Sequence, residues 1–507
     1  MSRVRRSLML SLALMTAIGG NADAASPTFS KQKIAHEYTG GWEHFVGGGI
    51  AAFDCDGDEL PELFAAGGEG ATIFLRNKST DAELAFSEET PAPLALTGVT
   101  GAYPVNIDSD AFTDLVVLRA GEDLILKGGP DCSFEPMQFN AGDRWTTAFS
   151  ATWEADAALP TLAFGHYVDR VDPDGPFEAC DTNALYRPND ANGWEEITLA
   201  PGYCALSILF SDWGRQGVAD LRVSNDRHYY VRGGAEQMWA MEETPRLYAK
   251  ADGWNEQAIW GMGIASRDIN GDGLPEVYLT SMGDQKLQFP TGNGPGYEDA
   301  KFERGHTAHR PYTGGDGRPS TGWHAAFADF DNDGRDDIFV AKGNVEQMPS
   351  NAADDPNNLL MQMADGSFVE AGESAGLASL ERGRGAVVVD LNNDGLLDIA
   401  VVNRRAPLEV YRNTTEEAGH WLSVSLSQPA PNVDAIGAFI EVETAAGIQT
   451  REVTIGGGHA SGSLGAHHFG LGNGTSAKLR VIWPDGDASA WQKVETNTTL
   501  KVSRRLP

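Results

Sequence analysis

One pattern in this sequence could do chemistry by its residue types and spacing: D-x-(D/N)-x-D-G-x-x-(D/E), set between two short apolar runs. It starts at Asp268 (DINGDGLPE), Asp329 (DFDNDGRDD) and Asp390 (DLNNDGLLD). Less regular copies start at Asp54 (DCDGDELPE), with Glu59 in the glycine position, and at Asn106 (NIDSDAFTD), with Ala111 there. Side-chain oxygens at positions 1, 3, 5 and 9, with the carbonyl of position 7, can surround a hard cation that takes six to eight oxygens. That is calcium chemistry. The candidate ligands in the first two loops are Asp54, Asp56, Asp58, the Leu60 carbonyl and Glu62, then Asn106, Asp108, Asp110 and Asp114. The fifth loop offers Asp268, Asn270, Asp272, the Leu274 carbonyl and Glu276, and the sixth Asp329, Asp331, Asp333, the Arg335 carbonyl and Asp337. The seventh offers Asp390, Asn392, Asp394, the Leu396 carbonyl and Asp398. Without a cation each cluster is a site of like-charge repulsion, so about five structural calcium ions are expected. A degraded copy from Asp212 (DWGRQGVAD) has lost two oxygens to Gly214 and Gln216 and is not expected to bind.

The elements that position these loops follow from what flanks them. An EF-hand needs a bidentate Glu at position 12 between two helices. Position 12 here is Ala65, Val117, Leu279, Val340 and Val401, none of which can ligate a metal. The residues from position 9 onward read instead as short buried strands, for example VYLTS and IFVAK. The loops are therefore expected to join strands. Glycine-rich lead-ins precede them, as in Gly47-Gly-Gly-Ile-Ala51, Trp260-Gly-Met-Gly-Ile264 and Arg382-Gly-Arg-Gly385. With Leu162–Val168 counted as a remodelled copy, seven units recur at intervals of roughly 50–60 residues between about residues 36 and 415.

These repeats resemble the FG-GAP/VCBS repeats of the integrin alpha-subunit propeller, and more closely the cartilage acidic protein family. The resemblance implies an all-β fold: a seven-bladed β-propeller over residues 25–415, with integrin-alpha-like calcium loops on one rim. From Gly419 the acidic loops stop, and apolar stretches such as WLSVSL (421–426), AFIEVET (438–444), REVTI (451–455) and KLRVIWP (478–484) take over. These are expected to form a small antiparallel C-terminal β domain, residues 416–507. Its motifs, among them Asp434-Ala-Ile-Gly-Ala438, Gly456-Gly-Gly458, His468-Phe-Gly-Leu-Gly472 and Val481-Ile-Trp-Pro-Asp-Gly486, resemble the ASPIC/UnbV domain.

Composition bounds the function. There are 38 Lys+Arg against 72 Asp+Glu, a formal net charge of -34, which excludes a nucleic-acid partner because phosphate affinity needs clustered cations. Residues 1–24 read as an export signal: Arg3, Arg5 and Arg6, then an apolar run, then Ala22-Asp-Ala24. No later apolar run is long enough to serve as a transmembrane anchor. Secretion, or export to a periplasm, agrees with an even number of cysteines. Of the three pairings that four cysteines permit, Cys55 with Cys132 and Cys180 with Cys204 are expected, because each closes the shortest available loop.

The remaining chemistry is sparse. The stretch from Gly456 to Gly472 holds Ser461, Ser463, His459, His467 and His468 but neither a G-x-S-x-G elbow nor an H-E-x-x-H helix. It is expected to be a loop packed beside strands, with a transition-metal site at His467 and His468 as the alternative. Trp145, Trp153, Trp239, Trp254, Trp260 and Trp323 are expected to pack between blades rather than to stack on sugars. The leading functional expectation is a secreted, calcium-binding, non-catalytic module for adhesion or binding, whose ligand is an extracellular protein or glycan. The alternative is a secreted hydrolase or lyase on an extracellular polysaccharide, its site opposite the calcium rim or in the third unit around Asp169 to Asp181.

Overall fold

The computed structural model describes residues 25–505 except 156, 173–178, 190–192, 227–233, 284, 293, 308–319 and 346–354. The expected export signal lies outside the described residues, as does part of the 169–181 stretch.

The fold is all-β, with a single four-residue α-helix, Gly372–Ala375, among the described residues. Seven antiparallel four-stranded groups follow one another along the chain. The fifth is representative: Gly261–Arg267, Glu276–Ser281, Lys286–Pro290 and Tyr297–Asp299, each paired with the next. In the five loop-bearing groups the second strand begins at position 9 of the acidic motif, at Glu62, Asp114, Glu276, Asp337 and Asp398. The strands Glu276–Ser281, Asp337–Lys342 and Asp398–Asn403 are buried along their whole length. A strand covered on both faces has no polar side to alternate with, which is why these segments read as continuous apolar runs.

The glycine lead-ins become the first strands, and the reason is close approach. A Cβ at Gly263 would stand 2.2 Å from the Trp323 carbonyl oxygen, and one at Gly385 2.3 Å from Ser461 Oγ. Neighbouring groups and the axis they surround are therefore brought to backbone contact distance, which only glycine permits.

The last group is completed by the beginning of the chain. Phe29–Ile34 pairs antiparallel with Leu408–Asn413, so the two ends of the repeat region are held in one sheet. Groups two and three are also stitched together, through Asp143↔Glu122, Arg144↔Gly121 and Trp145↔Ala120. The third group has its second strand at Thr161–His166, where the remodelled unit was expected. Both disulfides pair as expected, Cys55–Cys132 and Cys180–Cys204.

The C-terminal region forms two sheets. Gly447–Glu452, Phe439–Thr444, Ser476–Ile482 and Gln492–Glu495 form an antiparallel sheet. His420–Ser427 lies between His467–Gly472 and Thr498–Ser503, and it runs parallel to the latter. The expectation of a purely antiparallel domain is corrected here. The sequence from Val453 to Leu464 also departs from expectation, because its residues leave the domain and pair with the first five groups. One hydrophobic core joins the two regions: Tyr103, Phe149 and Phe164 pack in it with Leu422, Val424, Ile440 and Phe469.

Among the described residues no helix is long and apolar enough to cross a membrane.

Candidate metal loops and a filled axis

The acidic loops share one hydrogen-bond scheme, and it explains the residue type at each position. The carboxylate of position 1 caps the turn: in the fifth loop Asp268 accepts from the backbone N–H of Gly271 (2.8 Å) and Gly273 (2.9 Å). Asp54 accepts from the same two positions, and Asp329 and Asp390 accept from positions 5 and 6 of their loops. The position 5 oxygen accepts from the backbone of position 7 in all five, as with Asp272 and Leu274 at 2.9 Å. The carboxylate of position 9 accepts the backbone N–H of position 2, as Glu62 does from Cys55 at 3.1 Å and Asp398 from Leu391 at 2.9 Å. These are Asx-type turns, which wind the chain so that alternate side chains face inward.

Glycine at position 6 has φ of +88° in the fifth loop, +92° in the sixth and +84° in the seventh. In the first loop Glu59 adopts φ +70° at the same place. Its Cβ makes that conformation strained.

The structure brings Asp54, Asp56 and Asp58 together, and likewise Asp329, Asp331 and Asp333, each trio with oxygens within 4.8 Å of one another. The other three loops have asparagine at one of these positions and so offer fewer carboxylates. Four loops contain a buried oxygen at a candidate ligand position that has no hydrogen-bond partner: Glu62 Oε1, Asn106 Oδ1, Asp331 Oδ2 and Asn392 Oδ1. Glu62 is 0 % exposed and Asp331 1 %. A buried unsatisfied acceptor costs about 1–3 kcal/mol, and a cation would remove that cost in all four loops. The residues fit calcium by this test.

Electrostatics point the same way. Burial pushes Glu62 and Asp390 up to about 7, Glu276 up to about 8 and Asp114 up to about 6, with neighbouring carboxylates adding to the effect. Asp329 is held well above the ordinary range by burial and by Asp337, Asp333 and Asp331. These clusters lack sufficient positive charge.

Sequence reasoning did not find the internal cations. Lys127 Nζ contacts both Asp108 and Asp110 of the second loop, the latter at 3.1 Å. Arg76 Nη1 lies 2.6 Å from Asp56, and Arg412 Nη2 lies 3.3 Å from Asp394. Arg335 pairs with Asp333. Among the described residues only Lys127 bridges two candidate ligands of one loop. No local pattern announces it, because it comes from a neighbouring strand.

The second finding lies on the axis of the groups. Residues 455–464 touch all seven. Ile455 bridges Ala151, Gly457 N–H donates to Ile208 O (2.7 Å), and Gly458 N–H donates to Ile264 O (2.6 Å). His459 N–H donates to His324 Nδ1 (3.1 Å), and Ala102 N–H donates to Ala460 O (3.2 Å). Ser461 Oγ accepts from Ile50 N–H at 3.0 Å and packs on Gly385. Gly462–Leu464 then adds a parallel strand to Ile50–Phe53. His459 serves as a fixed tautomer: Nε2 accepts from Gly47 N–H (3.2 Å), so Nδ1 carries the proton toward Met262 O (3.1 Å). Burial holds its pKa down to about 4, which keeps it neutral.

The C-terminal domain sits over the acidic loops. Gly419 N–H donates to Asp331 O (2.9 Å), Gly472 N–H to Asn332 O (2.8 Å), and His468 Nε2 meets Asn332 Oδ1 at 2.6 Å. Trp421 packs on Gly395, and Arg451 pairs with Asp336 at 3.0 Å. The degraded fourth loop has a role here: Arg215 pairs with Glu441 (2.7 Å) and lies over the Phe439 ring. Of the tryptophans tested above, Trp145, Trp239, Trp254 and Trp323 are buried.

Comparison with known proteins finds similarity in both regions of the chain. A family model described as FG-GAP-like repeat matches residues 268–340, and one described as ASPIC and UnbV matches residues 428–505. The chain is similar to cartilage acidic protein 1 of Mus musculus, 28% identical over 251 residues, covering 48% of this chain and 37% of the relative. The match to cartilage acidic protein 1 of Xenopus tropicalis is 26% identical over 479 residues and covers 86% of this chain and 70% of the relative. Among solved structures, the crystal structure of BBS1N in complex with ARL6DN, soaked with mercury, has a TM-score of 0.45 at 9% identity, covering 77% of this chain and 97% of that one.

Proposed function

From the repeat and the domain it carries, we propose that this chain is a secreted, calcium-stabilised seven-bladed β-propeller that serves as a binding or adhesion module outside the cytoplasm. The seven four-stranded groups are its blades, and the strand Phe29–Ile34 closes the ring. Calcium would be held by the side-chain oxygens of the acidic loops together with the position 7 carbonyls, Leu60, Leu274, Arg335 and Leu396 among them. It supplies charge neutralisation and fixes the turns. The observation that carries this reading is the set of buried, unpartnered oxygens at four of the five loops.

A binding role agrees with the filling of the axis by residues 455–464, since that segment occupies the centre with hydrogen bonds of its own. The similarity to cartilage acidic protein 1 and the two disulfides support an extracellular setting. The large negative charge favours a basic or cation-bridged protein or glycan partner.

The test is a calcium titration joined to thermal melts with and without chelator. Binding to the folded state alone is worth about 2.7 kcal/mol at a hundredfold excess over Kd. A clear rise in melting temperature with calcium is expected, and an unchanged midpoint would remove the structural role. Cleavage of an extracellular polysaccharide by the same preparation would replace the binding role with a catalytic one.

A further inference from the structure

The fifth, sixth and seventh groups do not close completely on the axial segment. A cavity of about 230 Å³ lies between their first strands and residues 452–467. A second, of about 140 Å³, adjoins it toward the sixth loop and shares Arg267, Phe327, Val388, Thr454, Ser463 and His467 with it. A water molecule's share of the liquid is about 30 Å³, so this space admits a small organic molecule. Ser463, Gly465 and Ala466 on its wall are exposed, which places an entrance there.

Arg267 stands on the wall common to both cavities. Its one hydrogen bond is long, 3.4 Å from Nη2 to the Phe327 carbonyl. Among the described residues no carboxylate lies within ion-pairing distance of it. A guanidinium offers five N–H donors in a planar fork, so nearly all of its capacity is unused.

The carboxylates around the same space are engaged elsewhere. Glu452 accepts from Ser211 Oγ (2.6 Å) and from Asp212 N–H (2.7 Å). Asp329 caps its own loop, and Asp336 holds Arg451. Further donors line it: His324 Nδ1 accepts from His459 N–H, so its proton is on Nε2, and among the described residues the side chains of Ser463 and Thr454 have no hydrogen-bond partner.

We infer that this cavity binds a small hydroxylated organic acid through a single carboxylate held by the fork of Arg267, with Ser463, Thr454 and His324 taking the hydroxyls. A paired fork-to-carboxylate contact is among the stronger polar interactions available. A doubly charged phosphate suits it less, because Glu452, Asp329 and Asp336 border the same space.

Isothermal titration of the whole, calcium-saturated protein decides the matter, with D-glucuronate and L-lactate as probes, D-glucose as the uncharged analogue and inorganic phosphate as the competing anion. One of the two acids is expected to bind with a single site, at least about tenfold tighter than glucose or phosphate. Arg267→Gln is expected to lose about tenfold or more of that affinity. Without ligand it is expected to melt no lower than the parent, since it removes an unpaired charge. Ser463→Ala, at an exposed position, is expected to weaken binding severalfold while folding normally, and it serves as the test should Arg267→Gln fail to fold. No binding of either acid at about 10 mM, equal binding by glucose or phosphate, or unchanged affinity in these variants would overturn the inference.

Discussion

At the scale of residues, two positions decide more than their surroundings suggest. Lys127 places an ammonium between Asp108 and Asp110, which is where a calcium ion in the second loop would draw its charge compensation. Lys127 thus offsets part of the second loop's negative charge, and this loop also has Ala111 where three of the other four have glycine. Lys127→Met is expected to strengthen calcium binding at this loop in equilibrium dialysis; unchanged binding would show that the lysine does not compete with the metal.

Gly458 is the second such residue. Its φ is +55°, and a Cβ there would stand 2.3 Å from His324 Cε1. Gly458→Ala is expected to cost at least about 1–3 kcal/mol in urea unfolding, from backbone strain alone. A loss below about 0.5 kcal/mol would mean that the axial segment is not tightly held.

At the scale of elements, burial raises the pKa of one carboxylate in each of three acidic loops. Glu62, Asp390 and Glu276 have folded-state pKa values raised to about 7, 7 and 8, above those of an unfolded carboxylate, mainly by burial. The metal-free folded protein therefore holds more protons than the unfolded chain between about pH 4 and pH 8, and linkage makes its stability fall as pH rises through that window. In chelator the melting temperature is expected to drop steadily from about pH 5 to pH 8. Saturating calcium should flatten the profile, because the metal favours the ionised form. A chelated protein that becomes more stable with rising pH would contradict the burial of these groups.

The loops were legible in the sequence because their scheme is local. Every bond from Asp268 to Gly271, Gly273 and the strand at Glu276 lies within nine residues. Arg76, Lys127 and Arg412 were not, since each reaches its carboxylate from another strand, 18 to 20 residues away.

At the scale of the whole molecule, the C-terminal domain completes the repeat region instead of trailing from it. Residues 455–464 hydrogen-bond to six of the groups and pack on the seventh, and Leu422, Ile440 and Phe469 share one core with Tyr103 and Phe149. Deletion of residues 416–507 would uncover that core, and burial of each such side chain is worth about 1.5–3 kcal/mol. The truncated chain is expected to be aggregation-prone and to melt well below the parent by calorimetry. A monomeric fragment with the parent's midpoint would show that the two regions are independent.

The sequence by itself determined the repeat, the acidic clusters and the strand that follows each loop, since each depends on residues near one another, and among three cysteine pairings it favoured the one that the structure shows. It indicated Gly456-Gly-Gly458 only as a turn. The tertiary structure alone decided that this turn fills the axis, that the first strand belongs to the last sheet and that Arg267 faces an unfilled cavity. Those facts arise from contacts between residues 60 to more than 400 positions apart, such as Gly47 with His459. Packing of that kind leaves no periodicity in the chain, because it is set by which backbones can approach once every group has closed.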